Sequence, residues 1–357
     1  MSAELSAEIK RFAKDAGFDL AGITPFRPLK EAEGRLKRWT AKGYHGGMRY
    51  LENFDSRWER LRAKIPDAGS MIVLGVNYFS ETGRPERIKS SLRGKIAKYA
   101  RGRDYHEVIR EKLKGLEKFL KGKDSRAQCF VCVDTEPLFE RAYAEEAGFG
   151  FCGKHTNLLT KRFGPWVFLA EVITNLDLYP DPAGPAGSCG RCRKCLDACP
   201  TKALTAPYQM DARRCIAYLT IEHKGVIPEE LRPLIKDRVF GCDECLKACP
   251  FSKFAKETSW PEFESQKGSG PFLDLRSLFE IKSNRAYERK FRGTPLVRAS
   301  RKMMLRNAAI ALGNFGSAET VPTLRQALER EDALVKIHVA WALNQIKARN
   351  KRPAGPE

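Results

Sequence analysis

The stretch that most constrains this chain runs from Cys189 to Pro250. Cys189, Cys192, Cys195 and Cys199 follow one another as C-x2-C-x2-C-x3-C and are closed by Pro200. Cys242, Cys245 and Cys249 follow as C-x2-C-x3-C, closed by Pro250, with Cys215 between the two runs. Thiolates are soft ligands that suit iron–sulfur clusters and zinc. Zinc favours separated pairs or a cysteine–histidine mixture, which a tight run of four closed by proline fits poorly. The first run has the spacing that wraps a [4Fe–4S] cluster, and in two-cluster ferredoxins the fourth cysteine of each run serves the other cluster. That rule assigns Cys189, Cys192, Cys195 and Cys249 to one cluster. It assigns Cys199, Cys242 and Cys245 to a second, for which Cys215 is the remaining ligand. Zinc or a single cluster is the alternative. The loop 216–241 is too long for a plain ferredoxin, so the insert reads as a ferredoxin-like fold with a loop added to its second half.

The chain around this insert has 357 residues, 42% hydrophobic and 30% charged, enough for two or three domains with a sizeable core. No apolar run approaches the roughly 20 residues that span a bilayer. The start, MSAELSAEIKRFAKDAGF, lacks the apolar centre of a signal peptide and reads as an amphipathic helix with Leu5, Ile9, Phe12 and Ala16 on one face. A cytoplasmic location is expected, where thiols stay reduced and cysteine clusters mean metal more often than disulfides. The net charge of +20 points to a polyanionic partner, nucleic acid first, with solvated basic faces as the plain alternative.

Residues 1–180 read as α/β. Helical stretches are predicted over 29–42, 94–120 and 136–149, with buried strands over 71–79, 127–134 and 166–178. This alternation favours a central sheet covered by helices, with chemistry at the carboxyl ends of strands. Asp134 sits at such an end, and a helix N-cap is the equally good structural reading. The loop 148–160 carries three glycines with Cys152, Lys154, His155 and Asn157, but neither a Walker A nor a Rossmann fingerprint, so a simple turn is its plainer reading. Cys129 and Cys132 lie in an apolar strand and read as small buried hydrophobes. The Pro- and Gly-rich 179–190 marks a boundary, giving units at 1–180, 181–260 and 271–357.

The last unit is helical. Ala309, Ala311 and Leu312 recur as Ala340, Ala342 and Leu343, an offset of 31 that indicates a short HEAT-like repeat with its first helix pair near 303–328. Residues 282–306 carry nine Lys or Arg and one acid, and 84–126 carry fifteen against six. Such an excess is an electrostatic footprint for phosphates. Two clusters make a wire rather than a catalyst, and the motifs do not name the acceptor. No D-x-H-x-x-G cobalamin signature is present.

Several segments together resemble the epoxyqueuosine reductase family, enzymes of the last step of queuosine synthesis in tRNA. They are KYARGRDYH (98–106), VDTEPLFERAYAEEAGFGFCGKHTNLLT (133–160), CGRCRKCLDACPTKAL (189–204), RCIAYLTIEHKG (214–225), GCDECLKACPF (241–251) and the HEAT-like tail. The resemblance covers essentially the whole chain. It implies an α/β (α+β) cobalamin-binding domain, an inserted two-cluster ferredoxin-like domain and a C-terminal α-helical HEAT-like repeat. It implies Asp134 as proton donor, its pKa raised by burial against the corrin. It implies cobalamin contacts from Arg57, His155, Asn157, Tyr218, Thr220 and Lys224, with base-off cobalamin lacking a histidine ligand. The partners implied are tRNA carrying epoxyqueuosine at the wobble position and an external electron donor, with no membrane and a monomeric enzyme. A cobalamin reductase acting on a small halogenated or epoxide substrate, and a non-catalytic electron-transfer module, are the competing readings.

Overall fold

The computed structural model describes residues 3–81, 92–184 and 187–350. Its first helix, α1 (Ala3–Asp15), turns Ile9 and Ala13 wholly inward, with Leu5, Phe12 and Ala16 partly buried against the same core. The chain continues through β1 (Leu20–Pro25), α2 (Lys30–Ala41), α3 (Phe54–Arg62) and β2 (Ser70–Asn77). Every residue of β2 is buried, as its apolar run predicts. Next come β3 (Arg93–Ile96), α4 (Tyr105–Lys123), β4 (Cys129–Cys132), α5 (Glu140–Glu146), β5 (Gly150–Cys152), β6 (Leu158–Thr160) and β7 (Val167–Thr174).

Four of these strands form a sheet in the order β1-β2-β7-β4. Side chains alternate across it with the period of two that a pleated strand imposes. Ile72, Leu74, Val76, Phe168, Ala170 and Val172 face α1 and α4. Met71, Val73, Cys132 and Ile173 face α3 and α5. Helices thus cover both faces, as expected. The strand directions differ from the open α/β expectation, because every pair in this sheet is antiparallel.

The predicted helix 94–120 is cut in two. Its first residues form β3, which pairs in parallel with β10 (Arg238–Phe240) and antiparallel with β11 (Phe272–Asp274). Gly94 allows this, because a Cβ there would stand 2.5 Å from Leu275 and 2.9 Å from Val239. Pairing with distant segments overrides local helix propensity. Only Tyr105–Lys123 is α-helical, opened by Asp104, whose side chain accepts the His106 N–H. The helix predicted over 136–149 is likewise shortened to α5.

The cysteine-bearing segment contains α6 (Lys194–Ala198), β8 (Leu204–Ala206), β9 (Gln209–Met210), α7 (Ile216–Ile221), α8 (Arg232–Ile235), β10 and α9 (Glu244–Lys247). The two short helices that lie within the cysteine runs, α6 and α9, pack on each other. After β11 the chain is helical: α10 (Leu275–Phe279), α11 (Asn284–Phe291), α12 (Arg301–Phe315), α13 (Val321–Arg330) and α14 (Ala333–Asn350). The last three form the expected repeat. α12 and α14 approach so closely that a Cβ at Gly313 would lie 2.4 Å from Trp341. One core extends from Leu92 to Ile346 and joins α7, α8 and β10 to this helical tail. No described helix is long and apolar enough to cross a membrane.

Candidate redox centre and active site

The cysteines gather into two sets. Cys189, Cys192, Cys195 and Cys249 line one cavity of about 100 Å³ together with Lys154, His155 and Phe251. Their charges act on one another: burial first, and then Cys189 and Cys249, push the Cys195 thiol up. The other four are a separate group. Burial pushes Cys242 up to about 12, with Cys215 adding to it, and Cys245 is raised by burial and then by Cys215, Cys242 and Cys199. A thiol that resists ionisation in apolar surroundings is stabilised as thiolate by a cation or metal.

The Gly-rich loop is the β5–β6 hairpin, and its turn sits over the first set. Lys154 donates from Nζ to the carbonyls of Gly190 and Cys192 at 2.6 and 2.9 Å. His155 is 2% exposed, and burial lowers its pKa to about 4. Its Nδ1 accepts the Asn157 N–H, so the ring proton is on Nε2, which has no protein partner. His155 therefore faces the cysteine cavity. Asn157 lies beyond it, its side chain bonded to the His155 carbonyl and to Arg141.

Asp134 caps no helix, because α5 begins six residues later. It occupies the left-handed region (φ 59°) just beyond β4, its N–H donated to Glu140 Oε1 at 2.8 Å. Asp tolerates this conformation better than most residues, and non-glycine cases cluster at functional sites. Its carboxylate receives Tyr105 Oη at 2.7 Å and Arg298 Nη1 at 2.8 Å, and stands 3.3 Å from His106 Nε2. The last is an ion-pair distance without hydrogen-bond alignment. Burial would raise the Asp134 pKa, but His106, Tyr105 and Arg298 together hold it well below the usual carboxylate range. This reverses the expectation of a raised pKa. The neighbours carry the protons instead. His106, bonded through Nδ1 to Asp104 at 2.7 Å, is raised despite its burial. Burial and the nearby Asp134 charge push Glu140 up to about 8. Behind Glu140, the wholly buried Glu171 on β7 sits opposite Cys132 and is raised by burial and by both other carboxylates.

Arg298 also reaches Glu222 at 3.4 Å, which brings the YLTIEHKG segment to Asp134. Arg57 donates to the Thr135 carbonyl at 3.3 Å and lies over the half-exposed Tyr50 ring, and Arg110 donates to the Thr135 hydroxyl. Tyr218 is buried and its hydroxyl accepts the Gly47 N–H at 2.6 Å. Thr220 differs from expectation. It is fully buried, and its hydroxyl donates to Ile216 and accepts from Gly241, so it holds the turn together. Lys224 is exposed on the next turn. Tyr105, His106, Glu140 and Arg298 are the residues that motif reading alone does not single out. The first two lie inside KYARGRDYH, and Arg298 is hidden among the basic residues of the tail.

Comparison with known proteins agrees with this layout. Residues 188–252 match a 4Fe-4S double cluster binding domain, 59–135 match the family described as epoxyqueuosine reductase QueG, DUF1730, and 295–354 match HEAT repeats. An epoxyqueuosine reductase of Xanthomonas campestris is 38% identical over 347 residues, 96% of each chain. That of Escherichia coli is 35% identical over 97% of this chain and 91% of its own. The chain belongs to the epoxyqueuosine reductase family. It is an oxidoreductase with an iron–sulfur segment of the double-cluster type. Among solved structures, an epoxyqueuosine reductase bound to a modified tRNA-Tyr stem loop superposes with a TM-score of 0.85 at 34% identity, covering 98% of this chain and 95% of that one. The Bacillus subtilis enzyme, with its catalytic aspartate loop swung out of the active site, gives 0.84 at 34% identity and the same coverage.

Proposed function

We propose that this enzyme reduces epoxyqueuosine at the wobble position of tRNA to queuosine, using cobalamin supplied with electrons by two [4Fe–4S] clusters. The observation that carries the reading is the junction at Arg298, where the cluster segment, through Glu222, meets Asp134 of the α/β unit. Cys189, Cys192, Cys195 and Cys249 are proposed to hold one cluster, and Cys199, Cys215, Cys242 and Cys245 the other. The first set fits a cluster well: four thiols share one small cavity, and the unpartnered His155 Nε2–H is a donor for a cluster sulfur. His155 is accordingly assigned to that cluster.

The residues present also fit a corrin bound without a histidine ligand. His106 is engaged by Asp104, His45 by Glu52, His223 by the Val226 carbonyl and His338 by Leu334 and Ile227. Arg57, Asn157, Tyr218 and Lys224 are the proposed contacts, and Thr220 shapes the turn that presents the last two. Bound there, cobalamin supplies a strongly reducing cobalt centre.

The overall change takes two electrons and two protons. Both carbon–oxygen bonds of the epoxide break, the oxygen leaves as water, and a carbon–carbon double bond remains. Asp134 Oδ2, ionised at rest, takes the His106 Nε2–H proton and passes it to the departing oxygen. Asp104 favours the charged form of His106 for this purpose. Glu140 fixes the backbone of the Asp134 loop. The relative solved with a tRNA stem loop supports an anticodon-loop substrate, whose base must be splayed out to reach the centre. Lys282, Arg285, Arg289, Lys290 and Arg292 on and around α11 are exposed and suited to stem phosphates. A cytoplasmic monomer with units at 1–180, 181–260 and 271–357 completes the proposal.

Asp134→Asn tests the reading. The variant keeps its iron content and corrin spectrum and loses single-turnover reduction of an epoxyqueuosine stem loop. Full turnover would remove the proton-donor role. In a deletion strain epoxyqueuosine accumulates in tRNA; normal queuosine there would refute the substrate.

A further inference from the structure

The cavity of the first cysteine set opens at the surface between Ser188 and Pro250, both exposed. The second set is partly buried against the two large cores. Cys215 and Cys242 pack against the core shared with the tail, and Cys245 against the core under α1 and α4. An electron arriving from outside therefore has an open route to the first set.

The cavity is lined from 188–195 and 249–251, and the segments 187–202, 206–209 and 250–254 run on from this lining or touch it. Tyr208, half exposed, donates its N–H to the Lys154 carbonyl and stands close enough to Cys189 for the two charges to interact. Phe254 is 38% exposed and rests on Phe251, which lines the cavity. The exposed ionic side chains of these segments are Arg191, Arg193, Lys194, Lys202 and Lys253, with Asp197 the one carboxylate. An excess of exposed cations in segments that also expose two aromatics is suited to an acidic protein surface that docks briefly.

We propose that this face is the docking site of the external reductant, and that the reductant is a small, acidic one-electron carrier protein. The inference rests on the assignment of Cys189, Cys192, Cys195 and Cys249 to a cluster. Each encounter oxidises the carrier by one electron and reduces that cluster by one, with no proton or group transferred, so one substrate turnover takes two encounters. The α11 surface, which carries the proposed tRNA contacts, is a separate set of residues. The reductant and the tRNA therefore need not compete.

The test uses the full-length, cluster-loaded protein without substrate. Arg191, Arg193, Lys194 and Lys253 are changed together to Glu in one variant and to Gln in a second, and iron and sulfide content is checked in each. Bleaching of the clusters near 400 nm is followed anaerobically with two probes, a reduced [2Fe–2S] ferredoxin of negative net charge and the methyl viologen radical cation. Charge reversal is expected to slow reduction by ferredoxin by about tenfold or more and to abolish its slowing by salt, with the Gln variant intermediate. Reduction by viologen is expected to be unchanged or faster. A ferredoxin rate within about twofold of the parent overturns the proposal. So does equal slowing with both probes in both variants, or loss of tRNA stem-loop affinity with an intact ferredoxin rate, which would make this an RNA surface. Cluster bleaching is read without epoxyqueuosine, so failure here is distinct from failure of the proposed reaction.

Discussion

Arg306→Met removes the guanidinium that ties the helical tail to the turn after α7. Arg306 lies on α12, is fully buried, and donates from Nη1 to the carbonyls of His223 and Gly225 at 2.7 and 2.8 Å and from Nη2 to that of Leu219 at 2.7 Å. Asn307 orients it and itself holds the carbonyls of Thr220 and Val239. Three hydrogen bonds from a charged donor are worth roughly 4–9 kcal/mol together. Against this, burial draws the Arg306 pKa from 12.5 down to about 10. Removing the charge therefore returns about 3 kcal/mol. The difference is a loss of about 1–6 kcal/mol, and methionine fills most of the volume, so packing adds little. A midvalue of about 3 kcal/mol corresponds to a fall in Tm of about 4 °C for a chain of this size. The freed turn carries Lys224, so trypsin should cut there faster than in the parent. A Tm within about 1 °C of the parent with an unchanged digestion pattern would show that the turn does not depend on this arginine.

Arg298→Met takes a cation from Asp134, whose pKa then rises from well below the usual carboxylate range, so the ionised relay form is lost sooner on acidification and the ascending limb of the single-turnover pH profile moves to higher pH. Both side chains are more than a third exposed, so the pair is worth only about 1 kcal/mol and the limb moves by up to about one pH unit; an unmoved limb would exclude the pairing. His338 is buried, its pKa lowered from 6.5 to about 4 by burial, with Nε2 accepting the Ile227 N–H. Its folded-state pKa is depressed, so its contribution is complete above pH 6.5 and is lost as the pH falls towards 4, by up to about 3 kcal/mol. Thermal melts between pH 7 and 5 should fall for the parent and flatten for His338→Gln. Reversing Arg285, Arg289 and Lys290 on α11 should weaken stem-loop binding and reduce the slope of log affinity against log salt by about 2–3; an unchanged slope puts the phosphates elsewhere.

The buried parts of the fold were legible because burial writes itself into composition. β2, β4 and β7 follow apolar runs, α1 follows its face of Leu5, Ile9 and Phe12, and the spacing of the cysteine runs separates the two sets seen in space. The parts that depend on distant partners were not legible. Nothing local in 93–96 indicates pairing with 238–240 and 272–274. The basic count over 282–306 treats nine cations alike, yet Arg306 is interior, Arg301 grips Glu331 and Arg298 belongs to Asp134. The sign of the Asp134 shift was missed for the same reason, since three of its neighbours come from other elements. Residues 84–91 of the second basic segment lie outside the described part of the structure.

The strand trio β10-β3-β11 bears on how the protein is made. Its members come from residues 93–96, 238–240 and 272–274, so the sheet is complete only when 274 has left the ribosome. Cys242 and Cys245 follow β10 directly, and in the proposed ligand sets Cys249 joins three cysteines that lie 54 to 60 residues upstream. A nascent chain thus exposes six reactive thiols before either quartet has its full set. Such long-range closure is intrinsically slow. With the proposed ligand sets, iron–sulfur loading would be a late event of biogenesis, and a chain shortened just before β11 would carry every proposed ligand cysteine while lacking a strand of this sheet.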